Sequence, residues 1–430
     1  MTMNRRGFIK AMGAAGAVSS LALGGCSMAG FRPGGGHVVI IGGGAGGATC
    51  AKYLRHFDSG IKVTVVEPKT QFATCFMSNW VIGGLRDQNW ITHGYAEWSK
   101  KHGIDMVHDT AVSIDPVAKV VKTKGGQSIK YDRCVVSPGV DFRYDTIEGY
   151  DAAVAETIPH AWHAGPQTAL LRKQLEAMRD GGLFVLTAPP NPFRCPPGPY
   201  ERASLVADYF KKHKPKSKVL ILDAKDAFSK QGLFVAGWKE HYGYGTSNSM
   251  IEWRSKANDG MARAIKAGSR TVVTEFGEIK ADVLNVVPAQ KAGHIAAVAG
   301  LTDASGWCPV DPLTWESKLH KGIHVIGDAA IQAPIPKSGY AANSEAKVCA
   351  AAIVALLNGN TPPTPSWVNT CYSLVTPTHG LSVAGVYNYV DGKIAEVKGA
   401  GGLTPMNGDY STEAIYAESW YKNIIDDMFG

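Results

Sequence analysis

Apolar residues concentrate early in a short run, His37-Val38-Val39-Ile40-Ile41, that breaks off into the loop Gly42-Gly43-Gly44-Ala45-Gly46-Gly47. A helical pattern follows to about Phe57, and Lys62-Val63-Thr64-Val65-Val66-Glu67 then reads as a second strand. Strand, glycine turn, helix and parallel strand within about thirty residues make a βαβ unit. A second α/β stretch occupies about residues 160–288. It holds a helix over 166–179 ending at Gly181-Gly182, a strand Leu183-Phe184-Val185-Leu186, and a proline-rich loop over 188–199. A helix to about Lys212 and strands at Lys218–Asp223 and Asp282–Val287 complete it. Gly322–Ala329 returns as a strand ending in Gly327-Asp328, before an alanine-rich helix from about Ala341 to Leu357. Thr361–Pro365 is the clearest linker, since its prolines suit neither helix nor sheet ladder. Residues 366–430 mix strand and helix signals.

At 430 residues the chain exceeds one ordinary core. The pattern predicts an α/β fold with two Rossmann-like dinucleotide-binding-type domains and a smaller C-terminal α+β domain. The first domain is discontinuous (37–160 and 289–365), the second spans 161–288, and the last 366–430. The composition, 45% hydrophobic and 19% charged, fits a soluble globular chain. Of the net charge of +7, Arg5, Arg6 and Lys10 fall in a segment expected to be removed. The remainder is too small and dispersed to argue for nucleic acid.

Residues 1–30 read as an address. Asn4-Arg5-Arg6-Gly7-Phe8-Ile9-Lys10 before a small-residue, apolar stretch resembles a twin-arginine export signal, which predicts a periplasmic protein folded around a cofactor. Leu23-Gly24-Gly25-Cys26 loosely matches a lipoprotein cleavage box, so a lipid anchor at Cys26 stands beside simple cleavage near Ala29. No later stretch reads as a transmembrane segment.

Gly42, Gly44 and Gly47 form G-x-G-x-x-G between strand and helix, with Glu67 at the end of the next strand. Glycines allow the tight turn and close backbone approach, the helix start offers N–H groups to a pyrophosphate, and Glu67 suits an adenosine ribose. Asp328, far downstream at a strand end, suits a ribityl hydroxyl and favours FAD over NAD. The second domain lacks the matching loop. After its first strand the chain reads Ala188-Pro189-Pro190-Asn191-Pro192-Phe193, with neither glycine nor the N–H groups that a phosphate needs. Electrons are therefore expected from a donor other than NAD(P)H.

Eight cysteines show no C-x-x-C, C-x-x-C-H or zinc-type spacing, so no haem and no metal is expected on this chain. His160 and His163 stand three apart without further partners. Cys50, Cys134, Cys308 and Cys349 read as buried small hydrophobes. Cys75, Cys195 and Cys371 lie in loop or C-terminal contexts, Cys195 beside Arg194, and residue chemistry alone leaves each more readily inert than functional.

Longer strings carry more information. Thr74-Cys75-Phe76-Met77-Ser78-Asn79, Tyr131-Asp132-Arg133-Cys134, Pro192-Phe193-Arg194-Cys195-Pro196-Pro197-Gly198-Pro199-Tyr200-Glu201-Arg202, Lys337-Ser338-Gly339-Tyr340 and Asn369-Thr370-Cys371-Tyr372-Ser373 are spread along the chain. Together with the glycine loop they resemble the flavoprotein subunit of flavocytochrome c sulfide dehydrogenase over nearly the whole length. The resemblance implies a glutathione-reductase-like arrangement, and FAD held covalently by a thioether to Cys75. It also implies a redox-active disulfide of Cys195 and Cys371 with Glu201 close by, and Trp420 near the flavin. Lys337, Ser338 and Gly339 would begin a helix whose positive end serves the reduced flavin. Hydrosulfide would open the disulfide, with Cys371 facing the flavin and Cys195 carrying the persulfide. Electrons would then reach haem c on a separate cytochrome c subunit, with which the chain would form a heterodimer. A sulfide:quinone reductase would need an apolar membrane-facing C-terminus, which Glu413, Glu418, Asp426 and Asp427 suit poorly. A flavin-containing sulfur carrier without turnover is the third reading.

Overall fold

The computed structural model describes residues 35–430. The export segment read from Arg5, Arg6 and Lys10, and the anchor read at Cys26, lie outside the described residues.

Continuous apolar runs such as Val38–Ile41, fully or almost fully buried, suit parallel strands covered on both faces. They build a five-stranded sheet ordered Ile323–Val325, Arg133–Val136, Gly36–Ile41, Ile61–Val66, Asp105–Val107, all parallel. The late strand pairs Ile323 with Cys134 and Val325 with Val136. That register sets the Gly327-Asp328 turn at the same carboxyl edge of the sheet as the glycine loop. Two helices, Ala45–Phe57 and Gly339–Leu357, pack against one another on one face. The latter is the one helix among the described residues long and apolar enough to cross a membrane, yet most of its length is buried in the core. It starts two residues before the predicted Ala341 because Ser338 caps it, accepting the Ala341 N–H.

A second parallel sheet runs Ile251–Arg254, Lys218–Asp223, Leu183–Ala188, Val283–Val286. Its edge strand Ile251–Arg254 was not anticipated, because Glu252 and Arg254 interrupt the apolar run. Two small antiparallel sheets, at 111–130 and 264–280, also escaped the pattern, their strands being only three to five residues long. Strands Val140–Phe142 and Gln290–Ala292 pair antiparallel where the chain leaves and re-enters the first sheet's surroundings.

The last unit is an antiparallel sheet of Ser366–Thr376, His379–Val390, Lys393–Glu396 and Gly402–Leu403, followed by the helix Tyr410–Phe429. Asp409 caps that helix at the N–H groups of Ser411 and Thr412. At its far end Asp427 accepts from Tyr53 and Asn343 (2.6 and 2.7 Å) and pairs with Lys347. The C-terminal unit is thereby fastened across both core helices, and Cys371 is carried in toward the first domain.

Candidate active site

A cavity of about 250 Å³ opens at the carboxyl edge of the first sheet, and Gly42, Gly44, Glu67, Cys75, Arg194 and Asp328 line it. The loop glycines have different reasons to be there. Gly42 holds φ +96°, and a Cβ on it would stand 2.3 Å from the Ser137 carbonyl oxygen. A Cβ on Gly47 would stand 1.8 Å from the Gly42 oxygen. Gly44 differs: the nearest atom to an added Cβ is a Phe72 ring carbon at 3.5 Å, so the protein itself leaves room. Its bareness serves what enters the cavity. Glu67 fixes the loop, accepting from Gly43 N–H at 2.9 Å and Lys69 N–H at 3.1 Å.

Asp328 is buried, and its Oδ1 has no hydrogen-bond partner among the described residues. Oδ2 lies 3.7 Å from Arg194 Nη1. Burial raises the carboxyl's pKa, and the charges of Arg194 and Lys337 oppose the shift. A buried carboxylate oxygen left unpaired is costly unless a ligand group meets it. Together, the orphan oxygen, the bare Gly44 and the helix start at Ala45 fit a dinucleotide cofactor.

Cys75 lies on the same cavity wall, its thiol pushed up by burial and eased down by Arg194. Cys195 stands in the left-handed region at φ +57°. Its N–H bonds Lys337 O and its carbonyl accepts Gly198 N–H, both at 2.8 Å, which sets the sulfur at the head of the helix Gly198–His213. Cys371 comes from the middle of strand Ser366–Thr376, its Sγ 3.6 Å from Asn369 Oδ1. Burial raises the Cys195 thiol well above its ordinary range, and the negative charges of Cys371, Glu201 and Cys75 add to it. Three cysteines from three parts of the chain therefore converge. The disulfide that the resemblance implies is not drawn between them: Cys195 and Cys371 stand as separate cysteines. Cys50, Cys134, Cys308 and Cys349 are fully buried, as their apolar settings predict.

Glu201 joins the two cysteine-bearing elements. Its Oε1 accepts Leu374 N–H (3.0 Å) from the Cys371 strand, and its Oε2 accepts Asn79 Nδ2 (2.8 Å). Burial raises its pKa against those two bonds. Arg202, one residue on, is buried and donates four hydrogen bonds, to Asn79, Asn285 and the carbonyls of His160 and Ala161.

Several predicted positions take other places. Lys337 points its ammonium at the carbonyls of Asp328 (2.7 Å) and Ala330 (2.6 Å), 4.0 Å from the Trp307 ring centre, and does not line the cavity. A buried ammonium needs acceptors, and these two fasten the Gly327-Asp328 turn; burial lowers its pKa to about 8. Ser338 donates to Asn369 Oδ1 at 2.6 Å, the same oxygen that Cys371 approaches, so it stands behind the thiol. Gly339 does line the cavity, packed so that a Cβ would meet the Phe76 ring at 2.5 Å. Trp420 lies in a neighbouring pocket with Tyr340 and Tyr372, its ring centre 5.8 Å from that of Phe76. It thus touches the residue after Cys75 and not the cavity wall.

The sequence reading missed Lys230 and Asn79. Lys230 is buried beside the thiols, donating to Cys371 O, Ser373 Oγ and Leu381 O at 3.3, 3.0 and 3.2 Å. Its local context, Ser229-Lys230-Gln231, resembles any surface lysine. His160 and His163 are spent on the backbone, at Trp162 N–H and Val140 O, with burial lowering their pKa values to about 3 and 4. Glu240, His241 and His379 converge elsewhere, but the two imidazoles already hydrogen-bond one another at 2.9 Å. In the second domain, the strand-end acid Asp223 is taken up by the protein's own side chains. Asp223 is held by Lys225 (2.6 Å), Tyr200 (2.6 Å) and Trp253 (3.0 Å), and Phe228 stacks on Tyr200 at 3.7 Å.

Known proteins resemble this chain in three stretches. Residues 36–170 match the pyridine nucleotide-disulphide oxidoreductase family. Residues 168–288 match the central region of the sulfide dehydrogenase (flavocytochrome c) flavoprotein chain, and 363–429 the flavin-binding region of flavocytochrome c sulphide dehydrogenase. A stretch of 42 residues is 64% identical to the sulfide dehydrogenase (flavocytochrome c) flavoprotein chain of Chlorobaculum thiosulfatiphilum, covering 10% of this chain and 88% of that sequence. The mitochondrial sulfide:quinone oxidoreductase of Dictyostelium discoideum is 24% identical over 323 residues, 72% of this chain and 69% of that protein. The solved sulfide:quinone oxidoreductase of Aquifex aeolicus shares the fold, with a TM-score of 0.66 at 19% identity over 91% of this chain and 92% of that one.

Proposed function

Because the chain belongs to the flavocytochrome c sulfide dehydrogenase flavoprotein family, we propose that its Cys195–Cys371 pair oxidises sulfide and sends the electrons through FAD to a separate cytochrome c chain. The observation that carries this reading is the meeting of Cys195 and Cys371 beside Cys75, which itself lines the cavity that presents the glycine loop and Asp328.

The residues present fit FAD. The N–H groups at the start of helix Ala45–Phe57 would take its pyrophosphate, Glu67 a ribose, the unpaired Asp328 oxygen a ribityl hydroxyl, and Cys75 a covalent thioether. When bound, FAD accepts an electron pair and releases electrons one at a time to haem. Hydrosulfide is a small nucleophilic anion, and the oxidised cysteine pair is its electrophile. Attack leaves a persulfide on one sulfur and frees the other as a thiolate. Glu201, on the helix that follows Cys195, holds the Cys371 strand through Leu374 and the segment after Cys75 through Asn79, and its raised pKa suits it to take up a proton. Burial of the thiols excludes bulky reductants and keeps the pair for a small one. A twin-arginine-type start agrees with action in the periplasm, where a cytochrome c partner would be met.

Steady-state turnover tests the reading. Purified flavin-loaded protein should reduce a c-type cytochrome with sulfide as donor. Reduction of a quinone analogue alone would move the acceptor to the membrane, and sulfur binding without turnover would make the protein a carrier.

A further inference from the structure

Lys230 is a buried cation without a carboxylate at ion-pair distance among the described residues. Its ammonium is bonded instead to the strand that carries Cys371 and to the strand beside it, through Cys371 O, Ser373 Oγ and Leu381 O. The backbone of Lys230 is left-handed (φ +60°), a conformation that a non-glycine residue holds only when its surroundings demand it. The charged or ionisable groups around this ammonium are Cys371 on its strand, Cys195 in the proline loop, Glu201 on the helix after it, and Glu413 on the C-terminal helix. Around Cys371 itself stand Lys230, Ser338, Asn369 and Glu201, with Tyr387 on the adjoining strand. The positive charge is thus anchored to the backbone of one cysteine of the pair.

We infer that Lys230 is a positioning residue that sets the direction in which the disulfide opens, by stabilising negative charge on Cys371. The inference rests on the sulfide-oxidising reading above. Hydrosulfide attacks Cys195 Sγ and the Cys195–Cys371 bond breaks. A new sulfur–sulfur bond forms on Cys195, and the electron pair of the broken bond leaves on Cys371 as thiolate. The single negative charge brought by hydrosulfide ends beside Lys230, and the proton stays on the terminal sulfur. Leaving-group ability follows thiol acidity, so the cation decides which sulfur is attacked. The effect of burial on Cys371 is upward, and Lys230 is the largest influence against it.

The test uses full-length, flavin-loaded protein as wild type, Lys230→Gln and Lys230→Arg. Gln keeps donors for the backbone acceptors and removes the charge; Arg keeps the charge. After reduction with dithiothreitol, labelling of Cys371 and Cys195 by methyl methanethiosulfonate is followed against pH by peptide mass spectrometry. In wild type Cys371 should label at lower pH than Cys195. Lys230→Gln should raise the Cys371 midpoint by about one to three pH units, the range for an opposite charge at close quarters, and Lys230→Arg should restore it. Sulfide should bleach the flavin of Lys230→Gln at least about tenfold more slowly at neutral pH, with dithionite bleaching unchanged. A Cys195 midpoint below that of Cys371 in wild type, or an unmoved midpoint in Lys230→Gln, overturns the inference; the first measurement needs no variant. Wild-type flavin that sulfide does not bleach would count against the proposed function, and the labelling midpoints would still judge Lys230.

Discussion

Gly44 and Gly47 sit three residues apart, one capping the helix Ala45–Phe57 and the other in its first turn, and the structure asks different things of them. Alanine at 47 puts a methyl 1.8 Å from the Gly42 oxygen and 2.9 Å from its carbonyl carbon, so the backbone must move. Overpacking of this kind costs about 1–3 kcal/mol, and a contact so short argues for the upper end. The gain in helix propensity returns about 1 kcal/mol, leaving a net loss of about 2. For a domain of this size that lowers the melting temperature by about 4–8 °C. Alanine at 44 meets nothing nearer than Phe72 at 3.5 Å, and its backbone (φ −72°, ψ −164°) suits any residue. The apoprotein should therefore melt within a degree or two of the parent, but the methyl would narrow the cavity where a pyrophosphate approaches. Both variants are best made in a Cys75→Ala background, so that retained flavin reports binding and not attachment. Thermal unfolding of apoprotein and FAD content after gel filtration are then compared. A stable Gly44→Ala that loses FAD is the expected result. A Gly44→Ala protein with full FAD occupancy would refute the assignment of this loop to the cofactor.

Cys75→Ala alone should let the flavin leave on acid precipitation, while the parent's colour stays with the protein; flavin remaining with the variant removes the thioether. Cys371→Ser should abolish bleaching by sulfide and leave bleaching by dithionite intact, read by stopped-flow absorbance. Glu345 is buried, with one oxygen on Gly327 N–H (2.7 Å) and the other unpaired among the described residues, and burial raises its pKa to about 8. The folded state then binds the proton more tightly than the unfolded one. Apoprotein stability should therefore fall as pH rises from the ordinary carboxylate range to about 8. Glu345→Gln should flatten that decline in urea titrations, and an unchanged slope would place the proton elsewhere. Lys337, lowered to about 8, gives the opposite slope only above that pH, so the windows separate.

The sequence announces the first βαβ unit because its apolar run, glycine spacing and strand-end Glu67 are local and periodic. The partner strand Ile323–Val325 is legible as a strand, but its place beside Arg133–Val136 follows from packing alone. Cys195 and Cys371 illustrate the same divide. Nothing near either residue distinguishes a reactive thiol, and only the long matching strings pointed to the pair. Their meeting depends on a proline loop, a helix start and a C-terminal strand held together by Glu201. Lys230 was invisible because a buried ammonium and a solvated one share the same neighbours in sequence. Lys337 was misplaced for the converse reason: a cation beside a cofactor motif invites a ligand role, whereas its burial commits it to two carbonyls.

Sulfide oxidation at this site requires that Cys195 and Cys371 cycle between two thiols and a bond to one another. Non-reducing peptide mapping of the air-oxidised, flavin-loaded protein, before and after one equivalent of sulfide, addresses this most directly. A Cys195–Cys371 crosslink is expected before addition. Afterwards one extra sulfur on the Cys195 peptide, a free Cys371 and a bleached flavin are expected. Two free thiols after oxidation, or a crosslink that sulfide leaves untouched, would contradict sulfide oxidation at this site.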